Sequence, residues 1–89
     1  MLQNVMYYIE RRVIFMETRK IRLTQIDDVK EFVNAASACD FDIDIFYNRI
    51  IVDAKSLLGV LSLDLSRVLN VSCQGYNSNF EYTLNKFAS

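Results

Sequence analysis

The run FDIDIFY, residues 41–47, constrains the fold more than any other stretch of the chain, because apolar and polar side chains alternate along it. One set of alternate positions holds Phe41, Ile43, Ile45 and Tyr47, and the other holds Asp42, Asp44 and Phe46. Successive side chains of a strand point to opposite faces, so this run predicts a strand with one dry face and one mostly solvated face. Asn48 and Arg49 separate it from a second apolar run, residues 50–54, which predicts a hairpin.

Helical spacing of apolar residues predicts helices on either side of this hairpin. The first helix carries its stripe at Val29, Phe32, Val33 and Ala36. Asp27 or Asp28 is expected to be its N-cap. The last helix is expected to begin with a capping box at residues 78–81 and to bury Phe80, Leu84 and Phe87. A leucine-rich run after Ser56 predicts a third helix between them, with Ser56 as its cap.

Two further alternating runs, residues 19–25 and 70–75, predict the first and the last strand. The resulting order is βαββαβα, and the absence of proline leaves no linker between two domains. All helical stripes must then bury against the same dry sheet face. The predicted fold class is α+β, a two-layer open-faced β-sandwich in which three helices cover one face of a four-stranded antiparallel sheet.

The first fifteen residues lack a clean period, and a second potential start, Met16, follows them. Glu10-Arg11-Arg12 can be encoded by a purine-rich ribosome-binding sequence at a suitable distance from Met16. We therefore expect an N-terminal extension, residues 1–15, that is a translated leader, followed by a domain, residues 16–89. The alternative is an ordinary strand or helix that packs on the domain.

Composition excludes several classes of function. Ten basic and eleven acidic residues give no basic field for nucleic acid or acidic lipid. No apolar run reaches the roughly 20 residues that span a bilayer, and no signal peptide is recognisable, so we expect a cytoplasmic protein. Without histidine, Cys39 and Cys73 cannot form a Cys/His zinc site, and no cofactor or metal is expected.

The order of elements and the segment VDAKSLLGVLSLDLSRVLNVSCQG, residues 52–75, closely resemble the HPr family, the histidine-containing phosphocarriers of the bacterial sugar phosphotransferase system. The resemblance runs without a gap from about Ser37 to Gly75. It includes AS (residues 36–37), DFDIDIFYN (residues 40–48) and AKSLLGV (residues 54–60). It implies an open-faced sandwich whose strands are ordered first, fourth, second, third.

The same resemblance shows that the phosphocarrier site has been replaced. The family carries its phosphoryl group on a histidine within a histidine-alanine-arginine-proline run before the first helix. Counting back from Ser56 puts Gln25 at the histidine, Asp27 at the arginine and Asp28 at the proline. Two carboxylates at that helix N-terminus would repel a phosphate, so we expect no phosphohistidine transfer and no catalytic residue. The chain is therefore not expected to be an enzyme.

Ser56 matches a position that a dedicated kinase phosphorylates in Gram-positive members of the family. A phosphate at a helix N-terminus gains roughly 0.3 to 1 kcal/mol from the helix dipole. The alternative is that Ser56 only caps the helix, which stabilises it by about 1 kcal/mol. Ser56 is thus a candidate site of regulatory phosphorylation and, first of all, a cap.

Three leucines match positions where the family presents an apolar patch to its partners: Leu57, Leu58 and Leu61. A short helix cannot bury every side, so one or two of them should be exposed and available for docking; the alternative is that all are core. Phe46 falls on the face expected to be solvated. It could cover a self-association surface, pack against residues 1–15, or be a lone exposed aromatic without a function.

The sequence therefore predicts an HPr-like regulatory or protein-binding module whose partners are proteins, such as phosphotransferase-system components or a serine kinase, and include neither nucleic acid nor membrane. Two alternatives stay open: a phosphotransfer component with a non-histidine acceptor, and a structural homologue unrelated to sugar transport. Neither the identity of a partner nor the oligomeric state follows from the sequence.

Overall fold

The structure, a computed structural model, describes residues 2–9 and 12–89, with side chains from residue 18 onward. Its elements are β1 (Leu2–Ile9), β2 (Arg12–Ile21), α1 (Ile26–Ser37), β3 (Ile43–Tyr47), β4 (Ile50–Asp53), α2 (Leu57–Leu61), β5 (Leu69–Cys73) and α3 (Ser78–Lys86). From β2 onward this is the predicted order of elements, and β1 is an additional strand before it.

The strands form one sheet in the order β1-β2-β5-β3-β4, and every neighbouring pair is antiparallel. Within it, β2, β5, β3 and β4 lie in the predicted order first, fourth, second, third. One face of the sheet, which we call the helix face, shares a single core with all three helices. The predicted α+β open-faced sandwich is confirmed.

The core forms where the apolar side of each strand meets the stripe of each helix. Ile45 of β3 lies opposite Val71 of β5 and Val52 of β4, and it is fully buried. Above the sheet, the Phe32 and Phe80 rings pack α1 against α3 with their centroids 5.7 Å apart. The helical stripes predicted from the sequence are buried, at Val29, Phe32, Val33, Ala36, Phe80, Leu84 and Phe87.

The N-terminal strand pairs with β2 along its whole length, from Leu2 opposite Arg19 to Ile9 opposite Arg12. The predicted domain boundary at Met16 therefore falls inside β2. The alternative of an N-terminal strand agrees with this pairing. The translated leader stays a prediction, because a strand pairing does not show where the native product begins.

The second face of the sheet is not simply solvated. Phe46 is only 8% exposed, and Thr18 and Ser72 on the same side are buried as well. The expectation of a solvent-facing Phe46 is wrong; in the sheet Phe46 lies between Ile51 of β4 and Asn70 of β5. Packing of Phe46 against side chains of residues 1–15 lies outside the described residues.

The turns and caps follow local chemistry. Tyr47 pairs with Ile50, so Asn48 and Arg49 form the predicted two-residue turn, and the positive φ of 53° falls on asparagine, which tolerates it well. The cap of α3 is Asn77, whose side-chain oxygen accepts a hydrogen bond from the Phe80 N–H at 2.9 Å. α3 begins at Ser78 as predicted, but its cap is Asn77 rather than Ser78, because asparagine is at least as good a cap as serine.

The β5–α3 connection depends on a glycine that leaves room for an aromatic ring. A β-carbon placed on Gly75 would lie 2.6 Å from Cδ2 of Phe41, closer than carbon atoms can approach. Phe41 itself precedes β3, which begins at Ile43 rather than at the predicted residue 41. The Gln74 N–H donates to the Asp42 carbonyl at 2.9 Å, so the residues next to Gly75 and Phe41 are also joined through their backbones.

We expect Gly75→Ala to lower the free energy of unfolding by about 1–3 kcal/mol, because the ring must move to admit the methyl group. Chemical denaturation measures this loss. In a Phe41→Leu background the same substitution should cost clearly less, since the obstructing ring is gone. Equal losses in both backgrounds would contradict the steric explanation.

Candidate docking and regulatory surface

The N-terminus of α1 contains the three candidate positions Gln25, Asp27 and Asp28. Gln25 is the N-cap, in extended conformation with φ of −131°, and Asp28 is the third helical residue. One carboxylate oxygen of Asp28 accepts hydrogen bonds from the Thr24 N–H at 3.1 Å, the Thr24 hydroxyl at 3.0 Å and the Gln25 N–H at 3.3 Å. The predicted N-cap at Asp27 or Asp28 is wrong: Asp28 instead reaches back to the cap from inside the helix.

This arrangement places an ionised carboxylate at the start of α1. Hydrogen bonds, first of all from the Thr24 backbone N–H, lower the pKa of Asp28 below its ordinary value. Asp28 therefore stays ionised at neutral pH and accepts the backbone N–H groups of Thr24 and Gln25, which lead into the helix. Asp27 adds a second carboxylate in the same exposed first turn.

Ser56 caps α2, as predicted. Its hydroxyl oxygen accepts a hydrogen bond from the Gly59 N–H at 3.0 Å, and its side chain is exposed. A β-carbon at position 59 would lie 3.1 Å from this hydroxyl and 3.5 Å from the Cβ of Val52. Glycine thus lets the first turn of α2 lie close to both the cap and β4.

The turn that presents Ser56 is tied to α1 and to β4. The Lys55 side chain donates to the Cys39 carbonyl at 2.9 Å, just beyond the C-terminus of α1. The Asp53 side chain accepts from the Lys55 N–H at 2.9 Å, and its carbonyl accepts from the Ser56 N–H at 3.0 Å. The exposed serine therefore stands on a short connection whose backbone is fixed on both sides.

Three leucines of α2 form an exposed apolar area, which we call the leucine surface: Leu57, Leu58 and Leu61. Leu58 is 81% exposed, and the other two are 38% and 37% exposed. Val60 is the buried residue of this helix and packs into the core. The alternative in which all three leucines are core is wrong, because a five-residue helix turns only one narrow side toward the sheet.

A shallow groove of about 250 Å³ lies next to the leucine surface, between α1 and α2. Its lining residues are Lys30, Val33, Asn34 and Leu57. Leu57 thus belongs both to the leucine surface and to the groove wall. An apolar side chain of a partner would meet Val33 and Leu57 there, with a lysine and an amide at the rim.

Neither cysteine is set up for chemistry. Both are free thiols; burial raises the pKa of Cys39 and raises that of Cys73 to about 11. Because the thiolate is the reactive form, both stay protonated and unreactive at neutral pH. Within residues 18–89, no three residues of the metal-ligating types cluster closely enough to hold a metal ion.

The sequence pointed to the leucines and the serine cap, but not to the groove. Lys30, Val33 and Asn34 were unremarkable members of a helix, and only the packing of α2 beside α1 makes them a surface. The salt bridge between Lys86 and Glu31, with 2.9 Å between Nζ and Oε1, joins α3 to α1. It too could not be predicted from the sequence pattern. No hydrogen bond or ion pair among residues 18–89 joins Ser56 to Gln25, Asp27 or Asp28.

Comparison of the chain with protein-family models, with curated proteins and with solved structures gave no match. No helix in the part of the chain that the structure describes is long and apolar enough to cross a bilayer.

The lowered pKa of Asp28 makes a prediction about acid stability. The unfolded chain binds this proton more readily than the folded one, so the stabilisation is present above the ordinary carboxyl pKa and is lost as the pH falls through the lower folded value. We expect Asp28→Asn to flatten the decline in unfolding free energy between about pH 5 and pH 2. Denaturant titrations at several pH values measure this slope.

The matched control is Asp27→Asn, which removes a carboxylate from the same turn but none of the hydrogen bonds to Thr24 and Gln25. This control should keep most of the wild-type slope. The assignment to Asp28 is wrong if both variants change the acid dependence equally.

Proposed function

We propose that this protein is an HPr-like regulatory or protein-binding module of the cytoplasm, related to the sugar phosphotransferase system, that binds a protein partner without phosphohistidine transfer. The observation that carries the proposal is the leucine surface beside the groove between α1 and α2. Contiguous exposed apolar side chains with a polar rim are typical of protein interaction sites.

The chemistry of α1 supports the loss of phosphocarrier activity. The 89 residues contain no histidine, and the candidate position holds Gln25, whose amide cannot accept a phosphoryl group as imidazole does. Asp27 and Asp28 put two carboxylates into the first turn of this helix. A carrier would need a cation there to stabilise a transferred phosphate.

We further propose that phosphorylation of Ser56 regulates the interaction. The hydroxyl is exposed, and the next residue, Leu57, begins the leucine surface. A phosphate on Ser56 would place up to two negative charges beside the apolar contact area. Binding of an apolar partner would then weaken, while a partner with a basic rim would bind more tightly.

Two phosphorylation experiments separate this function from a working carrier. With Enzyme I and labelled phosphoenolpyruvate, we expect no label on this protein, whereas a histidine-bearing HPr in the same tube becomes labelled. With an HPr serine kinase and ATP, we expect a mass increase of one phosphate on the wild type and on Ser62→Ala, but none on Ser56→Ala.

Label from phosphoenolpyruvate would instead support the phosphotransfer alternative with a carboxylate acceptor. No modification by the kinase would remove the regulatory role of Ser56 but leave the docking surface to be tested on its own.

Docking through the leucine surface predicts that Leu58→Asp abolishes partner capture from the native cytoplasm while the fold is kept. An aspartate suits the first turn of α2, where negative charge is favourable, and Leu58 is the most exposed of the three leucines. Quantitative pull-down measures capture, and circular dichroism checks the fold.

Tyr82→Asp is the control, because it charges another large residue, 72% exposed, on α3. This control should retain the proteins that the wild type captures. If Leu58→Asp captures the same proteins in the same amounts, the leucine surface is not the docking site.

A further inference from the structure

The outer edge of β4 is an unpaired strand edge with apolar side chains. β4 is last in the strand order, with β3 as its one neighbour in the sheet. Ile50 is 47% exposed and Ile51 is 54% exposed, although both belong to a regular strand. An exposed edge of this kind is a template for another strand, and proteins commonly block it with a charge, a bulge or a covering element.

The alternation of hydrogen-bonded pairs between β3 and β4 leaves the backbone N–H and C=O of Ile51 without a partner in β3. Tyr47 and Ile50, which flank the two-residue turn, form the first hydrogen-bonded pair of the hairpin. The Ala54 N–H donates to the Ile43 carbonyl at 2.9 Å, four residues further along each strand, so this pair is hydrogen-bonded as well. Hydrogen-bonded and non-hydrogen-bonded pairs alternate in an antiparallel ladder. The N–H and C=O of Ile51 therefore point away from β3, toward the free edge.

The charges at the two ends of β4 are self-complementary. The segment RIIVD, residues 49–53, runs from a cation in the turn before β4 to an anion at the end of β4 and has Ile51 at its centre. If two copies pair antiparallel with Ile51 opposite Ile51, Arg49 of each copy lies opposite Asp53 of the other. Opposite charges that meet across the ends of two paired strands attract each other, and the twofold symmetry forms two such contacts.

Within residues 18–89, Asp53 forms no salt bridge. Asp53 lies directly opposite Asp44 of β3, which is an unfavourable like-charge pair. Burial raises the pKa of Asp44 above its ordinary value, and the negative charges of Asp53 and, to a smaller extent, Asp42 raise it further. An arginine from a second copy would bring positive charge to this acidic corner.

We propose that β4 is a self-association edge: two copies of this chain join β4 to β4 in antiparallel register about Ile51 and form one continuous ten-stranded sheet. The Ile51 N–H and C=O of each copy bond those of the other, and Arg49 pairs with Asp53 of the partner subunit at both ends. The contact goes beyond the proposed function and uses a different surface from the leucines of α2.

The contact is small, because β4 has only four residues. Short interfaces of this kind give reversible association, so we expect a monomer–dimer equilibrium that is visible between micromolar and about 1 mM protein. Because charged pairs contribute, high salt should weaken it.

Charge exchange tests the register. Sedimentation equilibrium should show concentration-dependent dimers for the wild type and at least tenfold weaker association for Arg49→Asp and for Asp53→Arg, each alone. An equimolar mixture of the two variants should associate within about threefold of the wild type, since every facing pair is again opposite in charge. Arg67→Asp, which breaks the surface pair between Arg67 and Asp64, is the control and should associate like the wild type.

Because Asp53 also accepts a bond from the Lys55 N–H, Asp53→Arg could reduce stability. A second measurement therefore uses the unmodified chain: the Ile51 amide should shift in NMR spectra and become protected from exchange as the concentration rises. A wild type that stays monomeric at 1 mM, a mixture no stronger than the single variants, or an Ile51 amide insensitive to concentration each overturns the proposal.

Discussion

Ile45 lies at the centre of the interaction on which the rest of the fold depends, the burial of one sheet face beneath three helices. It is fully buried, and its strand neighbours Val71 and Val52 face the same way. Side chains alternate with a period of two, so a shift of β3 by one residue would turn Asp44 toward the helices and Ile45 away from them. The register of β3 therefore positions both the core and every loop that follows it.

The candidate surface is a consequence of that register rather than a separate feature. Once β4 pairs with β3, the chain must turn at Asp53 and Ser56 to bring α2 over the sheet, and Gly59 allows the close approach to Val52. The helix that results is too short to have an apolar stripe on one side only. Its leucines remain exposed because Val60 fills the available space in the core.

The periodicity of apolar residues predicted the strands, the helices and their buried sides. It did not predict the cap of α1, where several neighbouring polar side chains can bond the same backbone groups. The strand alternation and the helical stripes identified the fold class and the buried residues, since both patterns record which side faces the core. The start of α1 was misplaced because Asp28 reaches back to the cap from inside the helix, a contact that composition alone does not distinguish from capping itself. The burial of Phe46 was not predicted, because alternation shows which side chains share a sheet face but not whether that face is covered. The groove was not predicted, because it exists only between two packed helices.

Residues 87–89 bond to the end of β2 and to the residue that follows it. The Arg22 N–H donates to the Phe87 carbonyl at 2.9 Å, the Ser89 N–H donates to the Lys20 carbonyl at 3.0 Å, and Ala88 bridges to Ile21. The inner edge of β2 pairs with β5, which follows β2 in the sequence by some fifty residues. During synthesis this edge has no native partner until β5 has been made, and residues 87–89 add their contacts after that. Contacts between distant segments slow folding, so the inner edge of β2 stays open to pairing with other chains until β5 arrives.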